Sequence, residues 1–234
     1  MRPSTIGGMI AFLLYKIIVS FLQKIKVYDM RKIGYSSTIS SLINDDKGNE
    51  TILDIGVGSG DVVNMLCRKK ERFIVGLDVN KRILKSNKLR LFHPIVADAH
   101  HMPFQDEVFD ATLLISCVEH LAQPQTCVKE VSRITREEGL CITQLPNLQW
   151  LMEPHTKFPF LYFMPRRLSS IIRKSSGYDS LNLNVTLKKV LSFFDGCGFA
   201  NICRKNIYHL RIFAFFSWPP GWFLVFRRIN RKQG

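Results

Sequence analysis

A loop of alternating glycines is the first chemical signal in the chain, because it follows the apolar run Thr51–Ile55 directly. The glycines are Gly56, Gly58 and Gly60. Glycine adopts positive φ readily and lets a ligand approach the backbone closely, and such a turn between a strand and a helix opens the ligand-binding unit of doubly wound α/β domains. The dinucleotide pattern needs a third glycine where this chain has Asp61. Asp54, two residues before the loop, favours a ligand with an ammonium group over one with a pyrophosphate.

Two further acids stand where the next predicted strands end. Asp78 follows the apolar run 73–77, and Asp98 follows the run 95–97. In nucleoside-binding α/β folds, an acid at the end of the second strand accepts hydrogen bonds from ribose hydroxyls. Aspartate is also common in turns and helix caps. Because both acids come after successive strands, their joint placement favours a binding site over two separate turns.

Strand and helix signals alternate along the chain, which is typical of an α/β fold. Apolar or β-rich runs predict strands at 51–55, 73–77, 95–97, 110–116 and 140–145. Helical patterns predict helices at 27–44, 62–70, 80–90, 124–136 and 186–196. The run 110–116 is continuously apolar, as expected for a parallel strand that is buried on both faces.

The composition predicts one α/β domain with a basic surface. The chain has 234 residues and 46% of them are hydrophobic, which is enough for a full core. The formal net charge of +14 fits nucleic acid, an anionic membrane, an anionic substrate, or a basic surface without a specific partner. The six cysteines form no C-x-x-C pair, so we expect no metal site and no disulfide framework, and reduced thiols in an intracellular protein.

An apolar segment at 6–22 precedes the domain and is followed by several basic residues. Its residues follow helical spacing, but a length of 17 residues and a central Lys16 oppose a bilayer span. Three interpretations stay open: a helix packed on the domain, a helix at a membrane interface, and a short anchor. We divide the chain into an apolar N-terminal helix at 1–26, for which membrane contact is slightly favoured, and a domain at 27–234.

Five motifs in series carry a family resemblance. They read L-D-I-G-V-G-S-G-D, G-L-D-V-N, V-A-D-A-H-H-M-P-F, D-E-V-F-D-A-T-L-L-I-S-C-V-E-H-L and E-V-S-R-I-T-R-E-E-G-L. From Thr51 to Pro146 the chain resembles the type-11 family of class I S-adenosylmethionine-dependent methyltransferases. The resemblance implies a doubly wound, mostly parallel seven-stranded sheet with helices on both faces, a Rossmann-like methyltransferase fold. Its last two strands, at 199–210 and 222–229, would form an antiparallel hairpin.

The resemblance also implies a site for S-adenosyl-L-methionine as methyl donor. Asp54 would attract the α-ammonium group, Asp78 would accept from the ribose hydroxyls, and Asp98 would bind the amino edge of adenine. Ser116 and Cys117 would line the floor beside the sulfonium. The cofactor-binding residues that it implies are Asp54, Gly56, Gly58, Gly60, Asp78, Val79, Asp98, Ala99, Ser116 and Cys117.

Candidates for a catalytic base lie near the expected methyl end. An insert at 147–185 would cover the substrate entrance as a lid, and its three prolines, together with Pro146 directly before it, predict little regular structure. Within it, Glu153 and His155 are candidates for the base, with a role in locking the lid as the competing interpretation. His120, directly after the fourth strand, is a third candidate, and its alternative is a structural histidine. No histidine pair has metal-ligand spacing, so no metal is expected.

The sequence therefore predicts an enzyme, a methyltransferase that moves a methyl group to a small-molecule or lipid-like acceptor by O- or C-methylation. The alternatives are a non-catalytic interaction module at a membrane surface and an RNA methyltransferase, which only the charge supports. The expected partners are the acceptor and an anionic membrane surface, rather than nucleic acid. We expect a cytoplasmic protein that is peripheral at the inner face of the membrane. The sequence does not indicate the acceptor atom or the oligomeric state.

Overall fold

The computed structural model describes residues 32–43, 50–69, 72–86, 91–149, 156, 158, 160–178, 180–207, 219 and 221–229. The predicted helix at 1–26 lies outside the described residues, as do the candidate bases Glu153 and His155, so these stay predictions. Within the described ranges, no helix has both the length and the apolar character that crossing a membrane requires.

Strands and helices alternate along the chain, as the sequence predicts. The strands are β1 (Thr51–Ile55), β2 (Phe73–Asp78), β3 (His93–Val96), β4 (Phe109–Ile115), β5 (Thr135–Pro146), β6 (Phe199–Ile207) and β7 (Gly221–Arg228). The helices are α1 (Lys32–Leu42), α2 (Asp61–Lys69), α3 (Lys81–Ser86), α4 (Pro124–Ile134), α5 (Arg166–Ser175) and α6 (Leu187–Gly196). Short 3₁₀ turns lie at Val118–His120 and Leu161–Phe163.

All seven strands form one sheet in the order β3-β2-β1-β4-β5-β7-β6. The pairs among β1 to β5 are parallel, whereas β7 runs antiparallel to both β5 and β6. This confirms the predicted mostly parallel sheet with an antiparallel hairpin. The strand order reverses between β1 and β4, and in doubly wound sheets ligands bind beyond the carboxyl ends of the strands at such a point.

Two apolar cores lie on opposite faces of the sheet. Side chains of β1 alternate between them, because successive residues of a strand point to opposite faces. Leu53 and Ile55 pack with residues of α4 and α6 in one core, whereas Ile52 packs with residues of α1, α2 and α3 in the other. The predicted helices on both faces are confirmed.

Two segments depart from the predicted secondary structure. Residues 137–139, which separate the predicted helix at 124–136 from the predicted strand at 140–145, form a bulge inside β5, where the register against β4 shifts and Glu138 has φ of 59°. The insert is more regular than its prolines indicate, since it contains both the 3₁₀ turn at Leu161–Phe163 and α5. Pro165 stands immediately before α5, where its missing N–H interrupts no helical hydrogen bond.

Candidate functional site

The glycine loop joins the carboxyl end of β1 to α2 and is pinned to the neighbouring strand. The amides of Gly56 and Val57 both donate to the carbonyl of Leu77, at 2.8 and 3.0 Å. All three loop glycines have positive φ, between 55° and 78°. L-residues with a side chain avoid this conformation, so the loop requires glycine.

The loop is tightly packed at one glycine and open at the next. A Cβ added to Gly56 would lie 2.8 Å from the Sγ of Cys117, which is closer than side chains approach each other. A Cβ added to Gly58 would meet no atom within 4 Å. The backbone is therefore accessible at Gly58, where a ligand can approach it.

Asp78 connects the glycine loop to the start of α3. Its Oδ2 accepts from the amide of Gly58 at 2.9 Å, and its Oδ1 accepts from the amide of Asn80 at 2.7 Å. A carboxylate oxygen has more than one acceptor site, so these bonds leave capacity for a ligand. Asp78 thus has a structural role in addition to the binding role that the sequence predicts.

Asp98 accepts two hydrogen bonds from His100. The backbone N–H of His100 lies 2.9 Å from Oδ1, and its Nδ1 lies 2.6 Å from the same oxygen. These two hydrogen bonds hold the pKa of Asp98 below its usual value, with the larger effect from the backbone N–H and the smaller from the imidazole. The amide of Gln123 donates to the Nε2 of His100 at 3.3 Å, which links this acid to the start of α4.

The floor of the site follows β4. Ser116 has φ of 51°, its hydroxyl donates to Oε1 of Gln144, and its amide donates to the carbonyl of Gln144 at 3.3 Å. Cys117 is buried, and burial raises the pKa of its thiol well above the usual value. A neutral thiol is a poor nucleophile, so Cys117 contributes packing to this floor.

The turn Val118–His120 connects the floor to the end of the insert. The carbonyl of Glu119 accepts from the amide of Asn182 at 2.8 Å, and the ring of His120 stacks with that of Tyr178 at 6.4 Å between centroids. Sequence reasoning missed Glu119, whose side chain is fully buried beside the site. Burial is the main cause of a raised pKa of the Tyr35 hydroxyl in α1, and the charge of Glu119 raises it further.

A cavity of about 430 Å³ lies at the carboxyl edge of the sheet. It brings together seven of the ten predicted cofactor residues and one candidate base. Those eight are Gly56, Asp78, Val79, Asp98, Ala99, Ser116, Cys117 and His120. Gly58, Gly60 and the buried Asp54 are not part of its lining. The volume falls within the range of small-molecule sites.

A second cavity of about 420 Å³ lies further along the same edge, where β5 ends and β7 and α6 begin. Apolar side chains dominate its lining, among them Leu148, Leu187 and Trp222. Lys188 adds a cation in the first turn of α6. Asn147, also in the lining, donates from Nδ2 to the carbonyl of Pro219 at 2.9 Å. Sequence reasoning did not find this cavity, because its residues come from three distant segments.

The described ranges contain no group of three or more His, Cys, Asp or Glu side chains that is suited to a metal ion.

Comparison with known proteins identifies the domain. Residues 53–143 match the family model described as a methyltransferase domain. A demethylmenaquinone methyltransferase of Tropheryma whipplei (strain Twist) is 23% identical over 167 residues, which cover 68% of this chain and 70% of that protein. A demethylmenaquinone methyltransferase of Thermotoga maritima is 32% identical over 111 residues, which cover 46% of each.

Solved structures share the fold. The phosphoethanolamine N-methyltransferase 2 of Haemonchus contortus, in complex with S-adenosyl-L-methionine, superposes with a TM-score of 0.64 at 14% identity. The match covers 84% of this chain and 53% of that one.

Proposed function

Since the chain belongs to the type-11 family of class I S-adenosylmethionine-dependent methyltransferases, we propose that it binds the donor in the 430 Å³ cavity and methylates a small, largely apolar acceptor. One observation carries the donor site: Gly56, Asp78, Asp98 and Ser116, from four separate segments, line the same cavity. The bound donor supplies an electrophilic methyl group. The contribution of the protein is then to position the acceptor in line with it, which is worth up to roughly 7–11 kcal/mol in favourable systems.

The residues present fit this donor. The open backbone at Gly58 leaves room beside the loop, and the carboxylates of Asp78 and Asp98 are acceptors suited to hydroxyl and amino groups. Val79 is 73% exposed at the cavity. A large apolar side chain in that position is suited to cover the face of a purine ring. Asp54, buried at the end of β1, is proposed to attract the ammonium group.

The second cavity is the proposed acceptor site. Its lining begins at Pro146 of β5. Pro146 is two residues after Gln144, which bonds to Ser116 in the lining of the donor cavity. Its apolar walls and the names of the relatives favour a planar, quinone-like acceptor. Lys188 and the amino end of α6 add positive charge, which suits an acceptor that carries or develops negative charge, such as a phenolate.

A hydroxyl or acidic-carbon acceptor needs a base within hydrogen-bond reach. His120 lines the donor cavity and is the described candidate for this role, while Glu153 and His155 stay candidates from the sequence. A lipid-like acceptor agrees with the expected location, in the cytoplasm and at the inner face of a membrane. The net charge of +14 supports contact with an anionic membrane surface.

The first test is calorimetric titration of the folded chain with S-adenosylmethionine and S-adenosylhomocysteine. Asp98→Ala is the sharpest variant, because the Asp98 carboxylate accepts hydrogen bonds from His100 and does not hold the glycine loop. A charged hydrogen bond is worth about 1.5–3 kcal/mol, so affinity is expected to fall at least about tenfold. Asp78→Ala is expected to lose more, since it also releases the amide of Gly58. Glu137→Ala, on the exposed bulge of β5, is the matched control.

Saturable binding that Asp98→Ala weakens and Glu137→Ala leaves intact would support the donor site. The absence of binding by protein with a cooperative thermal transition would refute the proposed function.

Once donor binding is established, the acceptor is sought by transfer of a labelled methyl group to quinone and lipid extracts. His120→Gln is expected to lower kcat about 10²–10⁴-fold without changing donor affinity if His120 is the base.

A further inference from the structure

Four large apolar side chains are exposed within a short stretch of the insert. Phe160 is 53% exposed, Phe163 is 62%, Leu168 is 41% and Ile171 is 45%. Phe160 also has a left-handed backbone, with φ of 56°, and this conformation is a genuine outlier for a bulky residue. Isolated exposed apolar residues need no explanation, but a cluster of them indicates an interaction site.

Basic side chains surround these apolar groups on α5. Residues three or four apart are neighbours on a helix, so Ile171 lies beside Arg167 on one side and Lys174 on the other. Both basic residues are exposed, as is Arg166. No Asp or Glu occurs from 160 to 178. The α5 surface, defined as Phe160, Phe163, Arg166, Arg167, Leu168, Ile171 and Lys174, is therefore apolar and cationic.

The opposite face of α5 is fixed to the protein near the proposed site. Ser169 and Ile172 are buried, and Arg173 donates to the carbonyl of Leu181 at 2.9 Å. The next residue, Asn182, donates to the carbonyl of Glu119 beside the donor cavity. The helix that carries the α5 surface is thus tied, through Leu181 and Asn182, to the turn beside the donor cavity.

We propose that the α5 surface docks the enzyme on a bilayer that contains anionic phospholipid. The apolar side chains would enter the boundary between headgroups and acyl chains, and the arginines and lysine would contact the headgroups. Single-stranded RNA also binds to surfaces of basic and aromatic residues. The aliphatic side chains of Leu168 and Ile171 favour a lipid partner over RNA. This proposal rests on the proposed function, because docking would let a lipid-like acceptor reach the second cavity from the bilayer.

The test is sedimentation of the full chain with vesicles of phosphatidylcholine alone, or with an equal amount of phosphatidylglycerol. Binding is expected to the anionic vesicles and to weaken as salt is raised. Arg167→Gln with Lys174→Gln removes two cations and is expected to weaken partition by about thirtyfold, from the usual contribution of each near-surface cation. Leu168→Ser with Ile171→Ser is expected to weaken it by about tenfold or more through lost apolar burial.

Helix α3 offers a matched control, since it also exposes a basic residue, Arg82, beside an apolar one, Ile83. Arg82→Gln with Ile83→Ser is expected to leave partition unchanged. Partition of both α5 variants at the level of the wild type would overturn the proposal, as would equal losses in the α3 variant. RNA binding that depends on α5 without vesicle binding would overturn it as well. Donor titration of the same variants separates the two failures, because loss of docking with intact donor affinity leaves the proposed function standing.

Discussion

Replacing Gly56 with alanine tests whether the glycine loop is shaped by packing or by backbone conformation alone. Gly56 has φ of 74°, and a Cβ there would lie 2.8 Å from the Sγ and 3.3 Å from the Cβ of Cys117. Gly58 has φ of 55° and no atom within 4 Å of the same added group. The two positions therefore share the backbone cost and differ in the steric one.

The expected magnitudes follow from this difference. A left-handed conformation costs a residue with a side chain about 1–2 kcal/mol, and Gly58→Ala is expected to lose about that much stability or less. Overpacking of a filled site costs about 1–3 kcal/mol more. Gly56→Ala is therefore expected to lower the free energy of unfolding by about 2–5 kcal/mol.

Cys117→Ala provides the decisive second mutation, because it removes the Sγ that the new methyl group would meet. In a double-mutant cycle, Gly56→Ala with Cys117→Ala is expected to lose about 1–3 kcal/mol less than the sum of the single losses. Urea unfolding followed by circular dichroism measures each free energy. Equal losses for Gly56→Ala and Gly58→Ala, or strict additivity in the cycle, would refute the packing argument.

Three further outcomes are expected. His100→Ala should raise the pKa of Asp98 only part of the way to its usual value, as read by NMR titration, since the backbone N–H remains. Recovery of the usual Asp98 pKa in His100→Ala would contradict the contribution of the backbone N–H. Because the folded-state pKa is lowered, the contribution of Asp98 to stability is present above about pH 4 and is lost as the pH falls through the folded-state pKa. Under native conditions iodoacetamide should label the exposed Cys203 before the buried thiols, because burial raises the pKa of those thiols. Mass spectrometry measures the labelling rates, and equal rates would contradict the burial. The buried thiols are Cys117, Cys127 and Cys141, and burial raises the pKa of Cys141 to about 11. Thr186→Ala should destabilise the chain by about 1 kcal/mol in urea, because its side chain caps α6 by accepting from the amide of Lys189, and an unchanged midpoint would exclude this cap.

The parts of the fold that sequence predicted are those with short-range signals. Strand β1 begins and ends where the apolar run does, and α6 begins directly after its capping Thr186. The acids Asp78 and Asp98 were found because each directly follows an apolar run, and parallel strands bring such ends to one edge. The cavity that contains both acids follows from these local patterns.

The remaining features depend on contacts between distant segments. The buried Glu119 has no sequence signal of its own, because burial of a carboxylate depends on what the fold places around it. Helix α5 was missed because prolines were interpreted as breaks, although Pro165 precedes the helix and is compatible with it. Its exposed Leu168 and Ile171 resemble core residues in sequence, and only the structure shows that they face outward.

The position of β7 between β5 and β6 has a consequence for how the chain folds. Leu140 of β5 pairs with Arg227 of β7, so this pairing closes a long loop and carries a large entropic cost. Contacts so distant in sequence slow folding. During synthesis, β5 exposes an unpaired edge until residues 221–228 have emerged, and exposed strand edges promote aggregation. The first half of the sheet can therefore form early on the ribosome, whereas the hairpin sets the time at which the sheet is complete.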